Sequence, residues 1–216
     1  DVFVSKADAE NAPIRFAEQS GVIRSSAISD NGHWVYDTTD YGTIEGELGG
    51  VVQEKNTCTV LTAIRELLSL GYKITPQAVK TGFAQVTGLT GLMGRWQIIQ
   101  RDPLIICDTG HNVGGWEYLS KQLDQTPCHA LHIVIGMVND KDIHGVLKLL
   151  PKKAIYYFTN ASVERALPAE EFALQASEHG LKGTIHSSVA LAIEAAKNAA
   201  EPNDCIFIGG STFIVS

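Results

Sequence analysis

The residues best suited to chemistry fall in one pentapeptide. Asp108-Thr109-Gly110-His111-Asn112 supplies a carboxylate, a hydroxyl, an imidazole and a carboxamide directly after the apolar run Leu104-Ile105-Ile106-Cys107. Such a run reads as a buried parallel strand. In open α/β sheets, ligands bind beyond the carboxyl ends of the strands. A plain strand-to-helix turn accounts for the same residues, with Asp108 and Asn112 as caps and Gly110 at the bend. Upstream, Gly94-Arg95-Trp96 places a glycine-flanked cation where the chain passes from one pattern to another. Joints of that kind are where ligand clefts tend to form.

The elements that must position these groups follow from periodicity. Residues 1–50 read as β-rich, with Asn31-Gly32 between two strand-like runs as a hairpin signal. Val60, Leu61, Ile64, Leu67 and Leu68 recur at helical spacing until Gly71, and Thr75-Pro76 opens a second helix with Ala78, Val79, Phe83 and Val86 as its apolar face. Residues 87–94, with Gly88, Gly91 and Gly94, read as a linker. Strands at 104–107, 130–135, 154–158 and 205–208 then alternate with helices at 113–124, 140–150, 168–179 and 188–200. That order implies right-handed crossovers and a parallel sheet. The expected fold class is therefore α/β: a Rossmann-like domain over residues 91–216, preceded by an α+β part over residues 1–90.

Bulk properties exclude several functions. Hydrophobic residues make up 44% of the chain and charged residues 19%, the balance of a folded globular protein. A net charge of −7 leaves no excess of cations for a nucleic-acid backbone. No apolar stretch is long enough to span a bilayer, and no signal peptide opens the chain. Cys58, Cys107, Cys128 and Cys205 form no C-x-x-C motif and suit a reducing cytosol. His129 and His132, three apart, point to opposite faces if extended, so a shared metal is not expected. Trp34, Trp96 and Trp116 read as packing residues, and Lys141 as a solvated lysine. The start without Met and the stop after an apolar run suggest a fragment of a longer chain.

Five ordered segments carry a resemblance. They are Gly50-Val51-Val52-Gln53-Glu54-Lys55-Asn56, Gly94-Arg95 followed by Asp108-Thr109-Gly110-His111-Asn112, Gly136-Met137-Val138-Asn139-Asp140-Lys141-Asp142, Arg165-Ala166-Leu167-Pro168, and Gly209-Gly210-Ser211. Together they resemble the folylpolyglutamate and dihydrofolate synthases of the Mur ligase superfamily. Val113 stands where that family usually has Pro after His-Asn, and Met93 where Pro commonly precedes Gly-Arg. The resemblance implies an ATP- and Mg2+-dependent ligase that adds L-glutamate to dihydropteroate or folates through an acyl phosphate. It assigns residues 1–90 to the end of the central ATPase domain and residues 91–216 to the C-terminal domain. It also implies a cytoplasmic monomer acting on small molecules.

Position by position, the resemblance makes Asn56, Arg95 and Asp108 nucleotide-contacting residues. His111 and Ser211 would place the incoming glutamate, with Arg95 and His111 as the catalytic pair. Asp108 would accept from hydroxyls or order water or Arg95. No G-x-x-x-x-G-K-[ST] phosphate loop occurs in the 216 residues. The loop, the magnesium ligands and the family's modified lysine are therefore expected upstream of Asp1, leaving the chain inactive alone. Two readings stand beside this one: a fragment of a peptidoglycan-type Mur ligase, which typically shows His-Arg in place of Gly94-Arg95, and a non-catalytic Rossmann-like binding module.

Overall fold

The computed structural model describes residues 1–215. The chain divides into two compact units, Asp1–Gly91 and Leu92–Ser216.

The first unit opens with α1 (Val2–Ala9), none of whose residues is buried. Strands β1 (Ile23–Ile28), β2 (Trp34–Thr38) and β3 (Gly42–Gly46) form an antiparallel meander. Asn31-Gly32 lies in the first turn, as the hairpin signal requires, and Trp34 stacks on Tyr36 at 5.5 Å. Helices α2 (Gln53–Ser69), α3 (Pro76–Ala84) and α4 (Val86–Thr90) follow. Thr75 caps α3 by accepting from the Ala78 N–H, with Pro76 in the first turn.

The apolar row on α2 is covered only in part, with Ile64 packed against the small core. Leu61 is buried, but Val60, Leu67 and Leu68 are exposed. The core here is small, built on Val22, Ile44, Leu61 and Val79, and three short strands cannot cover a helix five turns long. Residues 87–94 are not all linker, because α4 occupies the first half and ends at Gly91 with φ 71°.

The second unit is a three-layer α/β structure. Strands β4 (Gln97–Arg101), β5 (Leu104–Asp108), β6 (Leu131–Ile135), β7 (Ile155–Phe158), β8 (Gly183–Ile185) and β9 (Cys205–Gly209) stand in the order β4-β5-β9-β6-β7-β8. All pairs are parallel except β4 with β5. One face packs on α5 (Val113–Gln125), α6 (Ile143–Leu149) and α7 (Ala169–Glu178), through Trp116, Leu147, Phe172 and their neighbours. The other packs on α8 (Val189–Ala199) and α9 (Thr212–Val215), through Ala192, Ala196 and Ile214. Covered on both faces, β9 is buried at all five positions and is apolar throughout, as a central parallel strand should be. The edge strands β4 and β8 have no such pattern. Gln97, Gln100 and Arg101 make β4 polar, and β8 is three exposed residues. Polar or short edges limit pairing with other chains, and both strands escape a reading based on apolar runs. Among the described residues, no helix is long and apolar enough to cross a membrane.

Candidate functional site

The carboxyl ends of β5, β9 and β6 lie side by side. Asp108 pairs with Gly209, and Gly209 with Ile135. The pentapeptide 108–112, the turn Gly209-Gly210-Ser211 and the loop from Gly136 therefore share one edge of the sheet. Gly210 has φ 95°, and a Cβ there would stand 2.6 Å from the Gly136 carbonyl oxygen. Only glycine lets these loops approach so closely.

Asp108 organises the site. Its Oδ2 accepts from the Trp96 N–H at 2.7 Å, and its Oδ1 from the Gly110 N–H at 2.7 Å. The carboxylate is thus engaged by backbone amides on both oxygens and does not act as the cap of α5. Asn112 does that, accepting from the Gly115 N–H at 2.8 Å, and α5 begins at Val113 without needing the usual proline. Trp96 has φ 48°, a left-handed conformation uncommon for a bulky residue. The Asp108 bond holds it there. Gly94 completes the turn with φ 68°, and its carbonyl accepts from the Thr109 N–H at 2.9 Å. A Cβ on Gly94 would meet Thr109 and Val215 below 3.0 Å. Arg95 sits at the apex of this turn. Its Nη1 makes one long bond to the Gly94 carbonyl at 3.4 Å, and it forms no ion pair among the described residues.

Burial holds the Asp108 carboxyl above the usual carboxylate range. The amides of Gly110 and Trp96 and the charge of Arg95 pull the other way without cancelling it. A carboxyl whose folded value is raised binds its proton more readily folded than unfolded. Its contribution to stability therefore falls as pH rises from the ordinary carboxylate value through the raised one, and is level above it. In Asp108→Asn this slope is absent, while one backbone N–H loses its acceptor at about 1–3 kcal/mol. Urea unfolding of both proteins between pH 4 and 7, followed by tryptophan fluorescence, should show the advantage of the wild type shrinking as pH rises. An advantage that grows with pH would contradict this account.

His111 is half-buried, with Nδ1 3.0 Å from the Thr109 carbonyl. Ser211 is buried, and its hydroxyl oxygen accepts from the Phe213 N–H at 3.3 Å. That oxygen caps the last helical turn, and its O–H remains available to donate. Arg95, Asp108, His111 and Ser211 thus belong to one edge of the second unit. Asn56 belongs to the first unit. It is exposed on α2, its amide donates to Gln53 Oε1 at 3.0 Å, and it lines a mainly apolar pocket of about 440 Å3 with Tyr36, Gln53, Thr57, Val79 and Phe83.

One cation at the edge was not singled out from sequence. Arg165 lies over the Phe213 ring at 4.9 Å and 3.5 Å from Asp140. It opens the segment Arg165-Ala166-Leu167-Pro168, but nothing in residue type joins it to the chain end, since the backbone pairing of Asn139 with Arg165 brings it there. Lys141 approaches Asp140 at 3.9 Å and is partly covered, not fully solvated. His129 and His132 do not diverge as an extended pair would. The strand begins only at Leu131, and both rings turn toward Asp204, at 3.6 and 3.3 Å. Hydrogen bonds from backbone amides, that of Glu201 foremost, hold the Asp204 carboxyl below the usual range. Burial pushes the Cys107 thiol up to about 11 and Cys205 to about 12, so neither is a ready nucleophile. Among the described residues, no group of three or more His, Cys, Asp or Glu could hold a metal ion.

The profile of the Mur ligase glutamate ligase domain matches residues 94–212, which takes in the Arg95 turn, Asp108, His111 and Ser211. The chain belongs to the Mur ligase family. The dihydrofolate synthase/folylpolyglutamate synthase of Escherichia coli (strain K12) is 32% identical over 192 residues, covering 85% of this chain and 43% of the relative. This Mur ligase chain therefore spans less than half the length of that enzyme. A solved E. coli structure in complex with DHPP and ADP superimposes with a TM-score of 0.66 at 30% identity, over 88% of this chain and 43% of the other. The folylpolyglutamate synthase of Mycobacterium tuberculosis complexed with ADP gives a TM-score of 0.82 at 24% identity, over 97% and 49%. The last likeness speaks for the fold alone.

Proposed function

We propose that this chain supplies the glutamate-ligating part of an ATP-dependent enzyme that joins L-glutamate to dihydropteroate, to folates, or to both. The observation that carries the reading is the Arg95 turn, which Asp108 docks onto the sheet edge that also bears the Gly-Gly-Ser turn, in a chain of the Mur ligase family. Residues 1–90 are proposed to be the end of the central ATPase domain, and residues 91–216 the C-terminal domain.

In the reaction, a carboxylate of the acceptor attacks the γ-phosphorus of ATP and ADP leaves. The amine of glutamate then attacks the acyl phosphate and phosphate leaves. Charge spreads over the phosphoryl oxygens in the first step, and a positioned guanidinium stabilises it. Arg95 is proposed for that role. Asn56 suits the polar edge of the adenine, since a carboxamide donates and accepts, with apolar pocket walls beside it for the ring faces. Asp108 acts mainly by holding the Arg95 turn. His111, the O–H of Ser211 and the Arg165 guanidinium are proposed to receive the amine and carboxylates of glutamate. Among the described residues no group of three or more His, Cys, Asp or Glu could hold magnesium. Its ligands are proposed to lie in the length of the relatives that this chain does not span. The enzyme is proposed to work as a cytoplasmic monomer on small molecules. A net charge of −7 argues against nucleic acid as its partner.

The test is phosphate release by the complete gene product with ATP, Mg2+ and L-glutamate, with and without dihydropteroate or a folate. Release that requires both glutamate and the pterin acceptor is expected. Release that is indifferent to the pterin, or that requires a peptidoglycan precursor, would overturn the reading.

A further inference from the structure

A pair of histidines joins α6 to the end of α7. Nδ1 of His144, in the first turn of α6, stands 3.4 Å from Nε2 of His179, the residue that ends α7. The rings are tilted by 49° with centroids 5.7 Å apart. For a hydrogen bond from a ring N–H the separation is long, since such bonds centre near 2.9–3.0 Å. It matches two nitrogens on one tetrahedral ion, because metal–nitrogen bonds of about 2.0–2.1 Å set ligand atoms about 3.3–3.4 Å apart.

We propose that His144 and His179 chelate a divalent transition metal of intermediate softness, such as Zn2+, Ni2+ or Cu2+, and so tie α6 to the end of α7.

Both ligands are carried on fixed backbone. Asp142 caps α6 by accepting from the Gly145 N–H at 2.8 Å, and Ile143, Val146 and Leu147 anchor the helix in the core. His179 donates its backbone N–H to the Ala176 carbonyl, and Phe172 and Ala176 anchor α7 in the same core. Little ordering remains for binding to impose. His144 is exposed and His179 half-exposed, so an ion has access from solvent. Two features set the character of the site. Among the described residues no third His, Cys, Asp or Glu completes a group, so water fills the remaining positions. The Lys152 ammonium, which donates to the carbonyls of Leu147 and His179 at 3.2 and 3.1 Å, adds a positive charge nearby. The lack of oxygen ligands disfavours hard cations, whereas the ammonium weakens the site for every divalent ion alike. Imidazole favours Zn2+, Ni2+ and Cu2+. The site is thus separate in chemistry from any magnesium used in phosphoryl transfer, and the inference does not depend on the ligase reading.

Isothermal titration of Zn2+ into the 216-residue chain, with its thiols kept reduced, tests the proposal against His144→Gln, His179→Gln and the double variant. Zn2+ also has four free cysteines to choose from, so the variants carry the decision. Each single variant should weaken the affinity of one site by about tenfold or more. The double variant should be little worse than either, because losing one ligand already breaks the chelate. Nitrogen-15 spectra of the imidazoles report the same event directly, with Zn2+ shifting the ring resonances of His144 and His179 and Mg2+ leaving them in place. Both substitutions are at the surface, and unchanged melting in the absence of metal confirms that the variants fold. Titration curves identical in wild type and variants, or imidazole resonances that do not respond to Zn2+, would overturn the proposal.

Discussion

In the complete enzyme, Arg95→Ala is expected to lower turnover by about 10²–10³-fold, the usual scale for removing one preorganised charge stabiliser. The reason lies in how the residue is held. Gly94 at φ 68° and Trp96 at φ 48° bracket Arg95 in a turn that other side chains would not adopt freely. That turn is fastened by Trp96 N–H to Asp108 and by Thr109 N–H to the Gly94 carbonyl. The backbone cost of presenting Arg95 is met in folding, so little reorganisation is left for the reaction itself. The guanidinium forms no ion pair among the described residues that a phosphoryl group would have to break. Arg95→Lys should recover little, because a point ammonium cannot replace a planar fork on phosphate oxygens. Steady-state phosphate release separates the alternatives. A fall in kcat with a modest change in KM for ATP marks a group that acts on developing charge. A rise in KM alone would show that Arg95 only binds the ground state.

Much of the second unit was legible because its central strands are buried on both faces. The runs at β5, β6 and β9 leave no other reading, and Asn112 and Thr75 announced their helices through capping chemistry. The edges were not legible. β4 is polar, and β8 owes its pairing to Tyr156–Phe158 and not to its own residues. On α2 the helical spacing held, but spacing alone does not say which apolar residues are covered, and Val60, Leu67 and Leu68 stand exposed. The site shows the same division. That 108–112 lies at a strand end followed from pattern. That both Asp108 oxygens would be occupied by amides did not, because it depends on the left-handed backbone at Trp96, which no residue type signals. Ser211 as a cap and Arg165 over Phe213 likewise depend on which loops the strand order brings together. The convergence of His129 and His132 on Asp204 required knowing that the strand starts two residues after His129.

The 216-residue chain by itself is expected to show no ATP turnover and no glutamyl amide formation, against full activity of the complete gene product. Arg95 can stabilise a phosphoryl group only if something else holds the triphosphate in line with the acceptor carboxylate. In phosphate-loop enzymes a glycine-rich loop does so with backbone N–H groups, a lysine and a magnesium ion, and no such motif occurs in these residues. The groups that are present serve other ends. The Asp108 amide contacts build the Arg95 turn, Ser211 caps α9, and no group of three or more His, Cys, Asp or Glu among the described residues could hold a metal ion. A site with the charge stabiliser proposed for Arg95 and the glutamate-facing edge proposed beside it, but nothing to grip the β- and γ-phosphates, loses the positioning term, which can be worth ~7–11 kcal/mol. That loss is beyond what Arg95 could restore. The measurement is a phosphate-release assay with ATP, Mg2+, L-glutamate and a folate acceptor, run side by side on the chain and on the complete gene product at equal concentration. Adding the separately expressed remainder of the gene product to the chain should restore part of the rate if the two halves associate. Turnover by the chain alone at the rate of the complete enzyme would mean that the phosphate-gripping groups lie within these 216 residues, and that the roles assigned to Arg95 and Asp108 are wrong.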